Sequence, residues 1–298
     1  MNTHRQLAII GPTASGKTSL ALEVARQNGG VILSLDSLAL YRHIDIASAK
    51  PTPQERGEIP HFGIDLIAPD TPFDVTRFHD EYRRAYAYAQ EHDQMLIIVG
   101  GTGFYLKTLL EGISPLPTIT DAVRSTVSEM MRDLPGAYDL LRRIDSAYAH
   151  TLQLTDRYRI EKALLIARAS GQTPTDYFRD HPPRPIITDP LPIYEVRTER
   201  ALLRERIALR TAKMLRDGLI DEVCRLERTY SRAPHPMKAI GIREVLDHLD
   251  GRYNYTQLRE AIITHTAQLA KRQTTFNKSQ FEKTIGGSLQ ELRSRLLR

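Results

Sequence analysis

Near the start of the chain, Gly11-Pro12-Thr13-Ala14-Ser15-Gly16-Lys17-Thr18 carries the pattern GxxxxGK[ST]. Its glycines let the backbone fold into a nest of amides that face phosphate oxygens. Lys17 adds a point charge, and the Thr18 hydroxyl is placed to ligate Mg²⁺. The chemistry this implies is binding of a di- or triphosphate. Asp36, in Ser34-Leu35-Asp36-Ser37, follows an apolar run. A carboxylate there can serve as general base for a nucleophile approaching the phosphate-bearing substrate, as an outer ligand of magnesium, or as a simple turn cap. Another apolar run, residues 95–99, leads into Gly100-Gly101-Thr102-Gly103 without an Asp. P-loop ATPases usually hold magnesium through such an acid, so its absence argues against ordinary nucleotide hydrolysis. The glycines allow backbone to approach a ligand closely with Thr102 as a hydrogen-bonding side chain, or they form an ordinary turn.

Further along, Arg204, Arg206, Arg210 and Lys213 lie on one helical stretch. Arg206 and Arg210 are spaced i, i+4 and share a face, so one of them can reach toward a diphosphate. Lys271 and Arg272 precede Phe276, a basic face with a nearby aromatic that suits either an RNA contact or a solvated amphipathic helix. Ten histidines show no HExxH or other metal-ligand spacing, and no Gly-x-Ser-x-Gly nucleophile signature occurs.

These groups need a scaffold. Residues 7–10, 31–35, 95–99 and 193–196 are short β-rich apolar runs. Helical periodicity covers residues 18–27 and 76–92, and strands alternating with helices predict an α/β fold with a mainly parallel sheet covered on both faces. After Gly112, Ser114-Pro115-Leu116-Pro117 ends the alternation, and short helices follow until Asp180-His181-Pro182-Pro183-Arg184-Pro185. The expected organisation is a core begun by residues 1–113, a helical insertion over 114–184, and completion of the core by 185–298. Long helices are expected over 199–230, broken at Gly218, and over about 256–278.

Splitting the chain at residue 150 gives 14 basic and 18 acidic residues before the split and 27 and 18 after it. Charges of −4 and +9 predict that one end meets a polyanion and the other a smaller ligand, unless the surplus is a solvated Arg-rich surface. Cys224 is the only cysteine, which excludes an internal disulfide and Cys-based zinc sites and fits a reducing cytoplasm. Met1-Asn2-Thr3-His4-Arg5 runs into a short apolar stretch with no leader-like region, and no stretch is long enough to span a membrane. On these residues alone, a P-loop kinase for a nucleoside or small metabolite is the first choice, with a non-catalytic RNA-binding module as a different class.

In order along the chain stand GPTASGKT, Asp36-Ser37 with Tyr41, Asp45-Ile46-Ala47-Ser48-Ala49-Lys50-Pro51, Pro60-His61-Phe62-Gly63-Ile64-Asp65, Gly100 to Leu106 as GGTGFYL, Ala239 to Glu244 as AIGIRE, and Leu269 to Gln273 as LAKRQ. This series resembles the tRNA dimethylallyltransferases over nearly the whole chain. The resemblance implies a P-loop NTPase-like core related to nucleotide kinases, a helical insertion domain, and a channel between them for a flipped tRNA base. It implies dimethylallyl transfer from dimethylallyl diphosphate to N6 of the adenosine 3′-adjacent to the anticodon, position 37 of the tRNA. Gly11, Pro12, Thr13, Ala14, Ser15, Gly16, Lys17 and Thr18 would hold the diphosphate, Thr18 with Mg²⁺. Asp36 would be the general base, and Lys17 and Arg210 would neutralise the leaving group. The tRNA anticodon loop would meet Asp36, Ser37, Leu38, Ala39, Thr102, Arg124, Tyr158, Arg159, Ile160, Glu161, Lys162, Lys271 and Arg272. Ala39, Leu40, Tyr158, Lys162 and Phe276-Asn277-Lys278 depart from the family's usual residues, so altered tRNA contacts are expected while the P-loop and Asp36 are intact. A cytoplasmic monomer is the remaining expectation.

Overall fold

The computed structural model describes residues 6–297; Met1 to Arg5, read above for the absence of a leader, lie outside the described residues. In chain order the elements are β1 (Gln6–Ile10), α1 (Lys17–Asn28), β2 (Val31–Ser34), α2 (Pro53–Arg56), β3 (His61–Phe62), α3 (Val75–Glu91), β4 (Leu96–Gly100) and α4 (Gly103–Glu111). The helices α5 (Asp121–Met130), α6 (Leu134–Ile144), α7 (Ser146–Ala149), α8 (Arg157–Ser170) and α9 (Pro174–Asp180) follow. Then come β5 (Ile193–Val196), α10 (Arg200–Arg216), α11 (Leu219–Tyr230), a 3-10 turn, α12 (Ile242–Leu249), α13 (Tyr255–Gln280), β6 (Ile285–Gly287) and α14 (Leu289–Leu296).

Six parallel strands form one sheet in the order β3-β2-β4-β1-β5-β6. Every residue of β1, β4 and β5 is buried, as strands covered on both faces must be, and this is why apolar residues dominate them despite Gln6 and Glu195. One face packs Leu7, Ile9, Ile32, Ile97 and Val99 against Leu20, Ala21 and Val24 of α1 and Leu292 and Leu296 of α14. Another core joins Leu40 and Ile44 to Leu215, Leu219, Val223, Ile242, Val245, Leu258 and Ile262. The four apolar runs seen in the sequence are β1, β2, β4 and β5. Two edge strands escaped, because β3 has only His61 and Phe62 and β6 is Ile285-Gly286-Gly287. Neither offers a hydrophobic run, and their pairing with β2 and β5 creates them. Gly218 ends α10 and starts α11 with φ +98°, a left-handed conformation that glycine takes at little cost.

Residues Leu110–Ile186 form a second compact unit. Each of its helices starts on a side chain that accepts a hydrogen bond from a backbone N–H three residues on. Thr120, Asp133, Asp145, Asp156 and Thr173 cap α5 to α9 in turn. Its own core contains Val127, Met131, Leu141, Ile160, Leu164 and Leu165. No strand occurs in this unit.

Several motif residues have structural work. The Glu222 carboxylate, 4% exposed on α11, accepts hydrogen bonds from the backbone N–H groups of Asp45, Ile46 and Ala47 at 2.9, 2.8 and 2.9 Å. Lys50 is also buried and donates to the Tyr41 carbonyl at 2.6 Å, to Asp45 at 2.9 Å and to Asp65 at 2.6 Å. The loop after β2 is therefore pinned from two sides by charged hydrogen bonds in a poorly solvated setting, where a missing partner is costly. Glu222→Ala would leave three amides without an acceptor. It is expected to cost about 2–4 kcal/mol in urea unfolding, with Glu222→Gln recovering part; a change below about 0.5 kcal/mol would show the loop is held by other contacts.

Candidate active site

A cavity of about 250 Å³ opens at the carboxyl ends of the parallel strands, where open α/β sheets bind ligands. Thr13, Lys17, Thr18, Asp36, Ser37, Leu38, Ala39, Thr102 and Arg210 all line it, with Gln273 of α13. Topology explains the layout. The P-loop follows β1 and Asp36 follows β2, and β4 lies between these strands. Phosphate loop and carboxylate are thus two strand spacings apart, roughly 10 Å. Gly100 and Gly101 at the end of β4 floor the gap. A methyl group at Gly100 would meet the Leu35 backbone at 2.6 Å, so this turn needs glycine for close approach of two strands.

The loop is tightly braced. Gly16 reaches φ +92° at the start of α1, and Lys17 folds back so that its Nζ donates to the Pro12 carbonyl at 3.1 Å. From α10, Arg206 donates to the Ser15 carbonyl at 3.2 Å and Arg210 to the Thr13 hydroxyl at 3.2 Å. Both arginines of the i, i+4 pair therefore reach the P-loop. From α13, Gln273 Oε1 accepts the Thr13 N–H at 2.8 Å. Sequence reading placed Gln273 inside a motif without giving it a task, since nothing local distinguishes it from other polar helix residues.

Burial lowers the Lys17 ammonium to about 8, helped by repulsion from Arg210 and opposed by attraction to Asp36. Arg210 is also pulled below its ordinary value by burial, with Asp36 again opposing. Two cations held together in one partly enclosed pocket favour an anion. Asp36 accepts the N–H groups of Leu38 and Ala39 through one oxygen, Oδ1, at 2.9 and 3.3 Å. Turn cap and candidate base are therefore one residue, and Oδ2 accepts no hydrogen bond among the described residues. Thr102 supports the same turn, its hydroxyl accepting the Ser37 N–H at 3.4 Å.

Among the described residues no group of three or more His, Cys, Asp or Glu could hold a metal ion. Thr18 is exposed and lines the cavity, and among the described residues no group engages its hydroxyl. That combination fits Mg²⁺ bound with phosphate oxygens and water rather than in a protein cage.

The remaining expected contacts lie elsewhere. Lys271 and Arg272 are exposed on α13, lining a shallow surface groove with Phe276 rather than the cavity. Arg124 and the stretch from Tyr158 to Lys162 belong to the helical unit. Tyr158 is 70% exposed with the Lys162 ammonium 5.6 Å from its ring centre, Arg124 and Arg159 are exposed, and Glu161 is half-buried. Ile160 differs: it is fully buried in that unit's core, so its side chain orders the helix instead of facing a ligand.

This fold and site define a P-loop α/β protein whose phosphate loop faces a lone carboxylate across a glycine floor. Residues 39–280 match the family IPP transferase, and residues 4–61 match isopentenyl transferase. The chain belongs to the IPP transferase family and is a transferase. It is 53% identical to the tRNA dimethylallyltransferase of Sulfurovum sp. (strain NBC37-1), covering 98% of this chain and 97% of that one. Identity to the Sulfurimonas denitrificans protein of the same name is 47%, covering 98% of each. Among solved structures, the tRNA isopentenylpyrophosphate transferase from Bacillus halodurans superposes with a TM-score of 0.69 at 26% identity, over 98% of this chain and 94% of that one. A eukaryotic dimethylallyltransferase acting on tRNA shares the fold with a TM-score of 0.82 at 23% identity, over 96% of this chain and 75% of that one.

The lowered Lys17 value has a measurable consequence. An anion binds the ammonium form, so binding should take up a proton once the free protein is above pH about 8. An alkyl diphosphate loses its own last phosphate proton near pH 6, so calorimetry near pH 9 in buffers of different ionisation enthalpy isolates the lysine. Proton uptake approaching one and affinity falling up to about tenfold per pH unit above 8 are expected. Little uptake near pH 6.5 is the other expected result; identical uptake in Lys17→Met would assign the proton to another group.

Proposed function

We infer that the chain transfers a dimethylallyl group from dimethylallyl diphosphate to N6 of the adenosine 3′-adjacent to the anticodon, position 37 of the tRNA. The products are N6-dimethylallyladenosine and diphosphate. One observation carries the reading: buried Lys17, half-buried Arg210 and a P-loop stand at one side of a cavity, a carboxylate stands at the other, and the Gly100-Gly101 turn floors the gap. Relatives of nearly equal length are named for tRNA dimethylallyl transfer. A kinase would use the same loop, but the β4 end that usually supplies its magnesium-holding Asp is a glycine turn here.

In the proposed reaction the P-loop, Gly11 to Thr18, cradles the diphosphate through those of its backbone N–H groups that the protein leaves free, and Lys17 and Arg210 neutralise its oxygens. Mg²⁺, bound through Thr18 with phosphate oxygens and water, would add charge neutralisation. N6 of the flipped adenine attacks C1 of the allylic group, the C1–O bond breaks, and its electron pair leaves with the diphosphate. Asp36 Oδ2 takes the N6 proton, so the amine ends neutral. Stabilising charge on the leaving oxygen as the bond opens is where the cations contribute most.

The tRNA anticodon loop is assigned to Asp36, Ser37, Leu38, Ala39 and Thr102 beside the cavity, to Lys271 and Arg272 on α13, and to Arg124, Tyr158, Arg159, Glu161 and Lys162 of the helical unit. Unstacked loop bases suit exposed Tyr158 and the arginines, and the second half's basic surplus suits the phosphate backbone. Ala39 and Tyr158 cannot make the amide contacts of the glutamines usual in the family, so base reading shifts to stacking and backbone groups. The enzyme acts as a monomer in the cytoplasm, where its tRNA substrate is; no described helix is long and apolar enough to cross a membrane.

Asp36→Asn tests the base. Asparagine keeps a carbonyl oxygen for the Leu38 and Ala39 amides but is not basic, so single-turnover rate should fall about 10²–10⁴-fold. Affinity for unmodified tRNA should stay within about threefold, under 1 kcal/mol. A wild-type rate would remove Asp36 from proton transfer.

A further inference from the structure

Gln273 is the one α13 side chain that bonds the P-loop backbone, and the arrangement restricts what its amide can do. The Thr13 N–H can only donate, so the group facing it at 2.8 Å must be the carbonyl oxygen Oε1. The orientation of the amide is thereby settled. What remains free is Nε2, with two N–H groups and no acceptor. Among the described residues no group engages Nε2, and it packs against Gly101, where any side chain would collide with it. Gln273 lines the same cavity as Lys17 and Arg210.

Thr13 is a shared anchor. Its N–H goes to Gln273 and its hydroxyl receives Arg210, so the amide from α13 and the guanidinium from α10 converge on one residue of the loop. A purely donating group with no partner, in a half-closed pocket already carrying two cations, is complementary to an anionic oxygen.

We propose that Gln273 belongs to the leaving-group pocket: Oε1 positions the P-loop through Thr13, and Nε2 donates to an oxygen of the substrate's diphosphate. The proposal rests on the diphosphate reading of the P-loop. It adds a neutral donor on α13 to the cations, coupling the helix whose outer face carries Lys271 and Arg272 to the phosphate loop.

Two substitutions separate the roles. Gln273→Met removes both hydrogen bonds with little change in volume. Gln273→Glu keeps an acceptor for the Thr13 N–H, strengthened by charge, but replaces the donor with an anion. The probe is inorganic diphosphate titrated into the protein with Mg²⁺, alongside KM for dimethylallyl diphosphate and the Kd for unmodified tRNA. Diphosphate binding is expected to weaken about tenfold in Gln273→Met and further in Gln273→Glu, with KM for the allylic substrate following and tRNA affinity unchanged. Binding restored toward wild type in Gln273→Glu would mean that the residue only positions the loop and would overturn the donor role. Loss confined to tRNA affinity would assign Nε2 to the base and overturn it as well. If the wild-type protein itself ignores diphosphate, the P-loop reading fails first; if it binds and both variants bind equally, this inference alone fails.

Discussion

Two cations, buried Lys17 and half-buried Arg210, share one pocket with Asp36 as the carboxylate that most offsets them. Such an arrangement opposes folding, because both charges lose water and repel each other. It survives because the chain fixes each group by hydrogen bonds to the P-loop: Lys17 to Pro12, Arg210 to Thr13, Arg206 to Ser15 and Gln273 to Thr13. The pocket is thus charged in advance for an anion. A leaving group that gains charge as its bond to carbon opens is the ligand that benefits most from such preorganisation.

The sheet turns this local arrangement into a reaction geometry. Because β4 separates β1 from β2, the phosphate loop and Asp36 are held apart by a fixed distance, and the glycines after β4 keep the intervening space free. The loop carrying Asp36 is in turn anchored by Glu222 and Lys50, which gives the Asp45 to Pro51 motif a structural task.

Much of this was legible in the residues. The P-loop pattern, the Asp36 turn and the GGTG turn each follow an apolar run, and motif plus run places them at one sheet edge; the α/β class and the family reading follow from the same segments. Strands β3 and β6 were not, since their existence depends on neighbours rather than on composition. Helices α12 and α14 are short and were also passed over, although Ser288 and Glu291 form a capping box at the start of α14. Long-range contacts were the least accessible: Gln273 meets Thr13 from 260 positions away. Ile160 shows the opposite error, where a motif carried over as a block included a residue whose part is packing in the helical core.

The central claim is that the P-loop binds a leaving group rather than a phosphoryl group in transfer, and the bond that breaks decides it. Dimethylallyl diphosphate carrying ¹⁸O at the bridging C1–O position, incubated with the protein, Mg²⁺ and unmodified tRNA, should release all of its label in diphosphate. The adenosine should gain one unlabelled dimethylallyl group by mass spectrometry of the nucleosides. Label retained on a five-carbon alcohol, or a phosphorylated nucleoside, would mean cleavage at phosphorus and would contradict the account.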